Sequence, residues 1–479
     1  MFVKTQTEDD GLEVSVPDPF TQPVKAAAAV LACFRTEVYA CLTRRADALF
    51  ELAEAVLCAD GPVKTLVDLT LTAQHRRGHG AMYDGLNHGR INLARLRRSL
   101  AGLPLPRFTG GQIVLAVDVS PWLRSDAACS PDRLFCHVYG RAKSASQLIP
   151  GWPYSFVAVL EPGRSSWTAI LDAVRLGPAD DATALTAGQL REVVQRLIDC
   201  GQHQPGDPDV LIVCDAGYDV VRLAFVLADL PVQLLGRIRS DRVMLLPVPP
   251  RLPGATGRPP RHGGVFDLKD PTGWPTPTAA TTNDTTSYGK AEACAWNRLH
   301  PRLTHRGAWL DHEGQLPIVE GTLIRLHVEY LPGDRHADPL WLWWSATDIT
   351  TSQADHAWQT YLRRFDLEHT FRLFKQTLGW TRPKLRLPQA ADRWTWTLII
   401  AYTQLRLARP LAVDLRRPWE KPLPAHRLTP ARVRRGFRNL RPMITRLSHS
   451  FRSQAVKSIL FSATTIHFGH TVGSWDSTS

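Results

Sequence analysis

Asp118 directly follows the apolar run Ile113 to Val117, and Asp215 directly follows a second run, Val210 to Cys214. An ionised carboxylate in such a place is unfavourable unless it is paired or holds a cation. A third acid, Glu368, lies in a stretch with helical periodicity from Gln353 to Leu378. On one continuous helix, Tyr361, Arg364, Glu368 and Lys375 would share a stripe about 60° wide. Beside it, Leu367, Phe371, Phe374 and Leu378 form an apolar stripe that would pack the helix on a sheet. Glu368 would then stand between two cationic side chains at a groove edge. Asp126, Asp219 and Asp348 read instead as turn or cap residues.

Elements must bring these residues together. Gln112 to Val119 is a strongly apolar strand, followed by strands at Leu134 to Tyr139 and Ser155 to Leu160. A helix over Ala184 to Cys200, a strand over Val210 to Cys214, a helix over Val220 to Leu227 and a strand over Val232 to Ile238 come next. This order implies an α/β class, a mixed sheet with helices on its faces. Residues 245–320 are rich in Pro, Gly and Thr and are expected to form a small β-rich unit of their own. Strands return at Leu323 to Tyr330 and Leu340 to Ser345, ahead of the helix carrying Glu368.

The region from Ala26 to Leu100 is helical, with Leu31, Phe34, Val38 and Leu42 at helical spacing, a Gly61-Pro62 break and a second helix expected from Val63. Its later part, with Arg90, Arg95, Arg97 and Arg98, suggests a helix-turn-helix-like bundle that contacts DNA. His75, His79 and His88 lack a metal-ligand spacing. The divisions drawn are a flexible acidic arm (1–24), a helical DNA-binding domain (25–106), a catalytic core (107–244 with 321–385), a β-rich insertion (245–320), a basic helical region (386–462) and a loose tail (463–479).

Charge points the same way. Lys and Arg outnumber Asp and Glu by 57 to 45, a net +12 that favours a polyanionic partner. Residues 361–460 alone hold 22 Lys or Arg against 5 Asp or Glu. Trp380, Trp394, Trp396, Tyr402, Trp419, Phe437 and Phe451 are interleaved there, the mixture expected of a surface that follows phosphates. The 8 cysteines form no C-x-x-C pair and read as reduced thiols, which argues against a zinc module or a disulfide scaffold. The longest apolar run, near Leu398 to Tyr402, is too short to span a bilayer, and a soluble, cytoplasmic, nucleoid-associated protein is expected.

The spacing Tyr361-x2-Arg364-x3-Glu368-x6-Lys375 resembles the Y-R-E-K signature of bacterial insertion-sequence transposases in the superfamily numbered four. VDVSPW around Asp118 and CDAGYD around Asp215 are similar to the acid motifs of those enzymes, nearest the family numbered seven hundred and one. The resemblance covers roughly residues 110–380 and implies an RNase H-like core. In it Asp118, Asp215 and Glu368 would hold two Mg2+ ions, with Mn2+ as a substitute, for cleavage and strand transfer of DNA. Tyr361, Arg364 and Lys375 would hold the DNA backbone near the cut. The partners implied are element ends and target DNA, with a homodimer in the DNA complex. In some relatives an insertion tryptophan stacks on a flipped base, which makes Trp274, Trp296 and Trp309 candidates.

Two other readings compete. His369-x-x-Arg372 with Tyr402 superficially mimics a tyrosine recombinase, whose tyrosine attacks DNA covalently. A transposase-derived protein that binds DNA without cutting would keep the basic surfaces, and the intact acid triad argues against it.

Overall fold

The computed structural model describes residues 22–451 except 79, 140–145, 164, 252, 254–255, 286–287 and 332–337. His79, the tail and all but the last residues of the acidic arm therefore lie outside the described residues. The chain divides into two units, 41–403 and a second that joins 22–40 to 404–451. Both the 25–106 and the 386–462 segments are split between these units.

In the larger unit a short pair, β1 (Leu42–Arg44) and β2 (Arg90–Ile91), ties together α2 (Ala46–Cys58), α3 (Gly80–His88) and α4 (Leu93–Ala101). The helix expected from Val63 is absent, and a single 3-10 turn, Val67–Leu71, stands there. A 12-stranded mixed sheet follows. Its strands are β3 (Val114–Leu123), β4 (Leu134–Tyr139), β5 (Ser146–Leu160), β6 (Thr168–Arg175), β7 (Val210–Cys214), β8 (Val232–Arg237), β9 (Met244–Leu245), β10 (Val265–Phe266), β11 (Ala279–Thr285), β12 (Gly289–Pro301), β13 (Gly321–Val328) and β14 (Leu340–Trp344). Along the sheet they run β10-β9-β12-β13-β14-β8-β7-β3-β5-β4, with β11 on β12 and β6 on β5.

Val114 to Val117 and Val210 to Cys214 are buried without alternation, as strands covered on both faces must be. The helices α5 (Ala182–Asp199) and α6 (Val220–Val226) follow the expected order. β5 runs through Pro150, Gly151 and Pro153, which read as turn signals in sequence. Pro153 stands opposite Pro121 of β3, so the missing N–H groups coincide. A side chain at Gly151 would meet the Trp122 carbonyl at 2.6 Å.

Two expectations are corrected here. Residues 245–320 do not stand apart, because β12 lies along β13 from Ala291 to Leu299 and makes that segment part of the central sheet. The single helix expected over 353–378 is two, α7 (Thr351–Leu362) and α8 (Phe365–Gln376). Between them Arg363 and Arg364 donate their N–H groups to the carbonyls of Thr360 and Tyr361, three residues back, and Asp366 and Leu367 bond in the same way. Such bonds advance the chain by about 120° per residue rather than about 100°, so the register of the stripe changes at Arg364.

After α8 comes α9 (Pro388–Ala408), whose last residues enter the smaller unit. That unit holds α1 (Gln22–Cys41), with Leu31, Phe34 and Val38 buried, and α10 (Pro430–Phe451). Most of the aromatic side chains described in the basic region are not available as a stacking surface, and that of Phe451 lies outside the described residues. Trp380, Trp394, Trp396, Tyr402 and Phe437 are buried in apolar cores, while Trp419 is 76 % exposed. No described helix is long and apolar enough to cross a membrane.

Candidate active site

Strands β3 and β7 are parallel neighbours, with Ala116 opposite Val213. Asp118 and Asp215 each lie two residues further on, so the register brings the two acids side by side at the carboxyl end of the pair. On its other side β3 places Asp118 opposite Phe156 of β5. Phe371 of α8 packs on that ring at 5.1 Å, and Phe374 at 6.3 Å. With Leu367 and Leu378 also buried, the apolar face of α8 is the one its sequence indicated, and it turns Glu368 outward.

Arg364 is where the three acids meet. Its Nη1 donates to Asp118 Oδ2 at 3.0 Å, while Nη2 lies 3.2 Å from Glu368 Oε1 and 3.9 Å from Asp215 Oδ2. The side chain is only 5 % exposed. Its guanidinium lies 4.9 Å from the Phe365 ring centroid and 5.9 Å from that of Tyr361, contacts that favour a cation over an aromatic face. Burial disfavours the charged guanidinium, but the carboxylates outweigh it and hold the group above its ordinary pKa.

The electrostatics of Asp118 are strained. Burial raises its carboxyl to about 6; Arg364 opposes the rise, and the charges of Asp215 and Glu368 add to it. The Val119 N–H donates to Asp118 Oδ1 at 2.8 Å. Tyr361 is buried, and desolvation pushes its phenol up to about 12. Lys375 stands about two turns beyond Glu368 on α8, its Nζ 5.8 Å from the Trp380 ring centroid, with its pKa lowered by burial and held up in part by Asp118. The structure thus gathers Asp118, Asp215, Glu368, Arg364 and Tyr361, and sets Lys375 at their margin.

Carboxylate oxygens are the donors a hard divalent cation prefers, and three acids sharing one closely paired guanidinium leave negative charge to be balanced. In donor chemistry the residues fit such a cation. Among the described residues, however, no three His, Cys, Asp or Glu side chains form a group close enough to hold one ion. The acids are spread around Arg364.

A cleft of about 400 Å³ adjoins Asp215, lined by Tyr218, Asp219, Arg237, Arg239 and Arg242 among others. These arginines form no motif with the acids in sequence; their one signal is R-I-R-S-D-R at the end of a parallel strand, since ligands of α/β sheets gather at the carboxyl ends of strands. Asp219 caps α6 through the Arg222 N–H, as expected of it. Asp348 pairs with Arg298, and Asp126 with Lys384.

Other candidates are placed where they have different work. Tyr402 is fully buried, and its hydroxyl accepts from the Thr168 N–H at 3.0 Å, which removes it as a nucleophile for DNA. Trp274 stacks on Phe266, with Arg325 5.4 Å from its ring centroid. Trp296 is buried in the same aromatic cluster, and Trp309 is buried with Arg222 at 4.8 Å. Trp296 and Trp309 are thus buried, while Trp274 is half-buried.

A family profile described as DDE superfamily endonuclease matches residues 37–302. The match takes in Asp118 and Asp215 and ends before α8. No curated protein matches the chain.

Proposed function

The chain belongs to the DDE superfamily endonucleases, and from that premise we propose that it is a Y-R-E-K transposase that binds the ends of its own insertion sequence, cuts them and joins them to target DNA. The mixed sheet with helices fits the RNase H-like form of such a nuclease. The observation that carries the reading is the convergence of Asp118, Asp215 and Glu368, from two adjacent strands and a helix, on one guanidinium. It supports Glu368 as the third acid, which lies beyond the matched span.

In this reading Asp118, Asp215 and Glu368 hold Mg2+, which when bound supplies Lewis acidity for attack on a phosphodiester. Arg364 offers a planar fork to a phosphate, and Lys375 adds a point charge about two turns beyond Glu368 on α8. Tyr361 acts through Arg364, since its buried ring braces the guanidinium. The arginines of the adjoining cleft extend the cationic surface beside Asp215. Two ends must be held together for transposition, so a dimer on DNA, in the cytoplasm at the nucleoid, belongs to the same proposal.

The test is Mg2+-dependent cleavage of a duplex carrying the short inverted repeats that flank the gene. Wild type is expected to nick at the repeat ends and join them to target, and Asp118→Ala, Asp215→Ala and Glu368→Gln to lose both steps by at least about a thousandfold. Normal cutting by all three variants, or no cutting by wild type, overturns the reading.

A further inference from the structure

Arg364 is more than a phosphate ligand awaiting DNA. Its guanidinium is committed to carboxylates, with Nη1 on Asp118 and Nη2 between Glu368 and Asp215. Phe365 and Tyr361 lie close to it, and the side chain is almost wholly shielded from water. The oxygens it engages are those of the three acids that would coordinate a divalent cation, and they surround it without forming a group that could hold one ion.

Resting on the triad reading above, we propose that Arg364 is an internal counter-ion that holds the three acids apart and competes with divalent cations, so that the DNA-free protein binds them weakly. The physical reason is direct. A magnesium-like ion needs carboxylate oxygens at about 2.0–2.1 Å in near-octahedral array, and a guanidinium hydrogen-bonded to Asp118, ion-paired with Glu368 and close to Asp215 both occupies the space between these oxygens and neutralises part of their charge. Two cations that want the same oxygens are antagonists, and the antagonism is a coupling free energy between the side chain and the ion. A phosphate of DNA is an alternative partner for the guanidinium, with matching bidentate geometry. DNA would therefore draw Arg364 off the acids and raise their affinity for the ion. Arg364 sits at the junction of α7 and α8, where three-residue hydrogen bonds replace the regular helical ladder, and only its side chain need turn.

The experiment is a Mn2+ titration of the full-length protein without DNA, read from the loss of the free-ion electron paramagnetic resonance signal. Arg364→Gln is expected to tighten Mn2+ binding by about tenfold. Arg364→Lys, which keeps the charge, should remain close to wild type. Phe365→Ala removes an exposed ring beside the guanidinium without touching any charge and should shift affinity in the same direction by less. Adding a short duplex should tighten Mn2+ binding by wild type more than by Arg364→Gln, the difference matching the factor gained by that substitution alone. Unchanged or weaker binding by both Arg364→Gln and Phe365→Ala, or an equal effect of the duplex on wild type and Arg364→Gln, overturns the proposal. The double variant Arg364→Gln with Asp118→Asn separates the two levels: undiminished Mn2+ binding there means that Asp118 is no ligand, and the triad reading fails instead.

Discussion

The Tyr402 hydroxyl accepts a hydrogen bond from the Thr168 N–H at 3.0 Å and faces the hydroxyls of Thr168 and Thr370 at 3.3 and 3.5 Å. Burial raises its pKa, and its ring stacks on Trp167. These contacts make it a pin between β6 and α8, the helix that carries Glu368. Tyr402→Phe would leave a buried N–H without its acceptor, a loss of about 1–3 kcal/mol in unfolding free energy. Denaturant unfolding should show that loss while Mg2+-dependent cleavage persists, and a DNA adduct trapped on the wild type but not on the variant would instead restore Tyr402 as a nucleophile. At this scale the sequence is ambiguous because residue type says nothing of exposure: His369, Arg372 and Tyr402 have the composition of a recombinase site, but their side chains do not share one surface. Glu368 was easier to read, since a helical stripe fixes which side of the chain it faces.

At the scale of elements, β3, β7 and the packing face of α8 were legible because each is built from one unbroken apolar pattern, five residues long in Val210–Cys214 and helical in Leu367, Phe371, Phe374 and Leu378. β6 was not legible. Its sequence, TAILDAVR, places a charged residue in a strand that is buried over most of its length. The charge is tolerated because Asp172, fully buried, accepts from Arg97 Nε of α4 at 2.8 Å and Arg196 Nη2 of α5 at 2.9 Å. Those partners are 75 residues before and 24 after it, so no local pattern announces the strand. The break between α7 and α8 was hidden for a related reason, as neither Pro nor Gly marks it and the helical region of backbone space is kept on both sides. Asp172→Asn should reduce stability by about 3–5 kcal/mol, the cost of leaving two arginines partly buried without their shared acid. Chemical denaturation measures this directly, and a loss below about 1 kcal/mol would show that the triad does not anchor α4 and α5 to the sheet.

For the molecule as a whole, the surplus of basic residues after 361 suggested a DNA-facing surface, yet part of it is spent inside the fold. In the smaller unit Arg432 Nη1 lies 2.9 Å from Asp414, and Arg435 holds both oxygens of Glu420 at 2.6 and 3.0 Å. The hydrogen bond from Arg435, followed by the Arg417 N–H, lowers the Glu420 carboxyl from 4.5 to about 2. A lowered acid stabilises the folded state in its ionised form, so its contribution is complete above the unfolded value and disappears as pH falls through the folded one. Glu420→Gln should therefore lower the melting temperature at neutral pH, and the gap between variant and wild type should begin to close below about 4.5 and vanish near about 2. Thermal unfolding of both proteins in parallel between pH 7 and the lowest pH at which a transition survives gives the curve. A gap that stays constant from neutral pH to the acid end would mean that Glu420 acts through shape alone, and that Arg435 belongs with the arginines available to DNA.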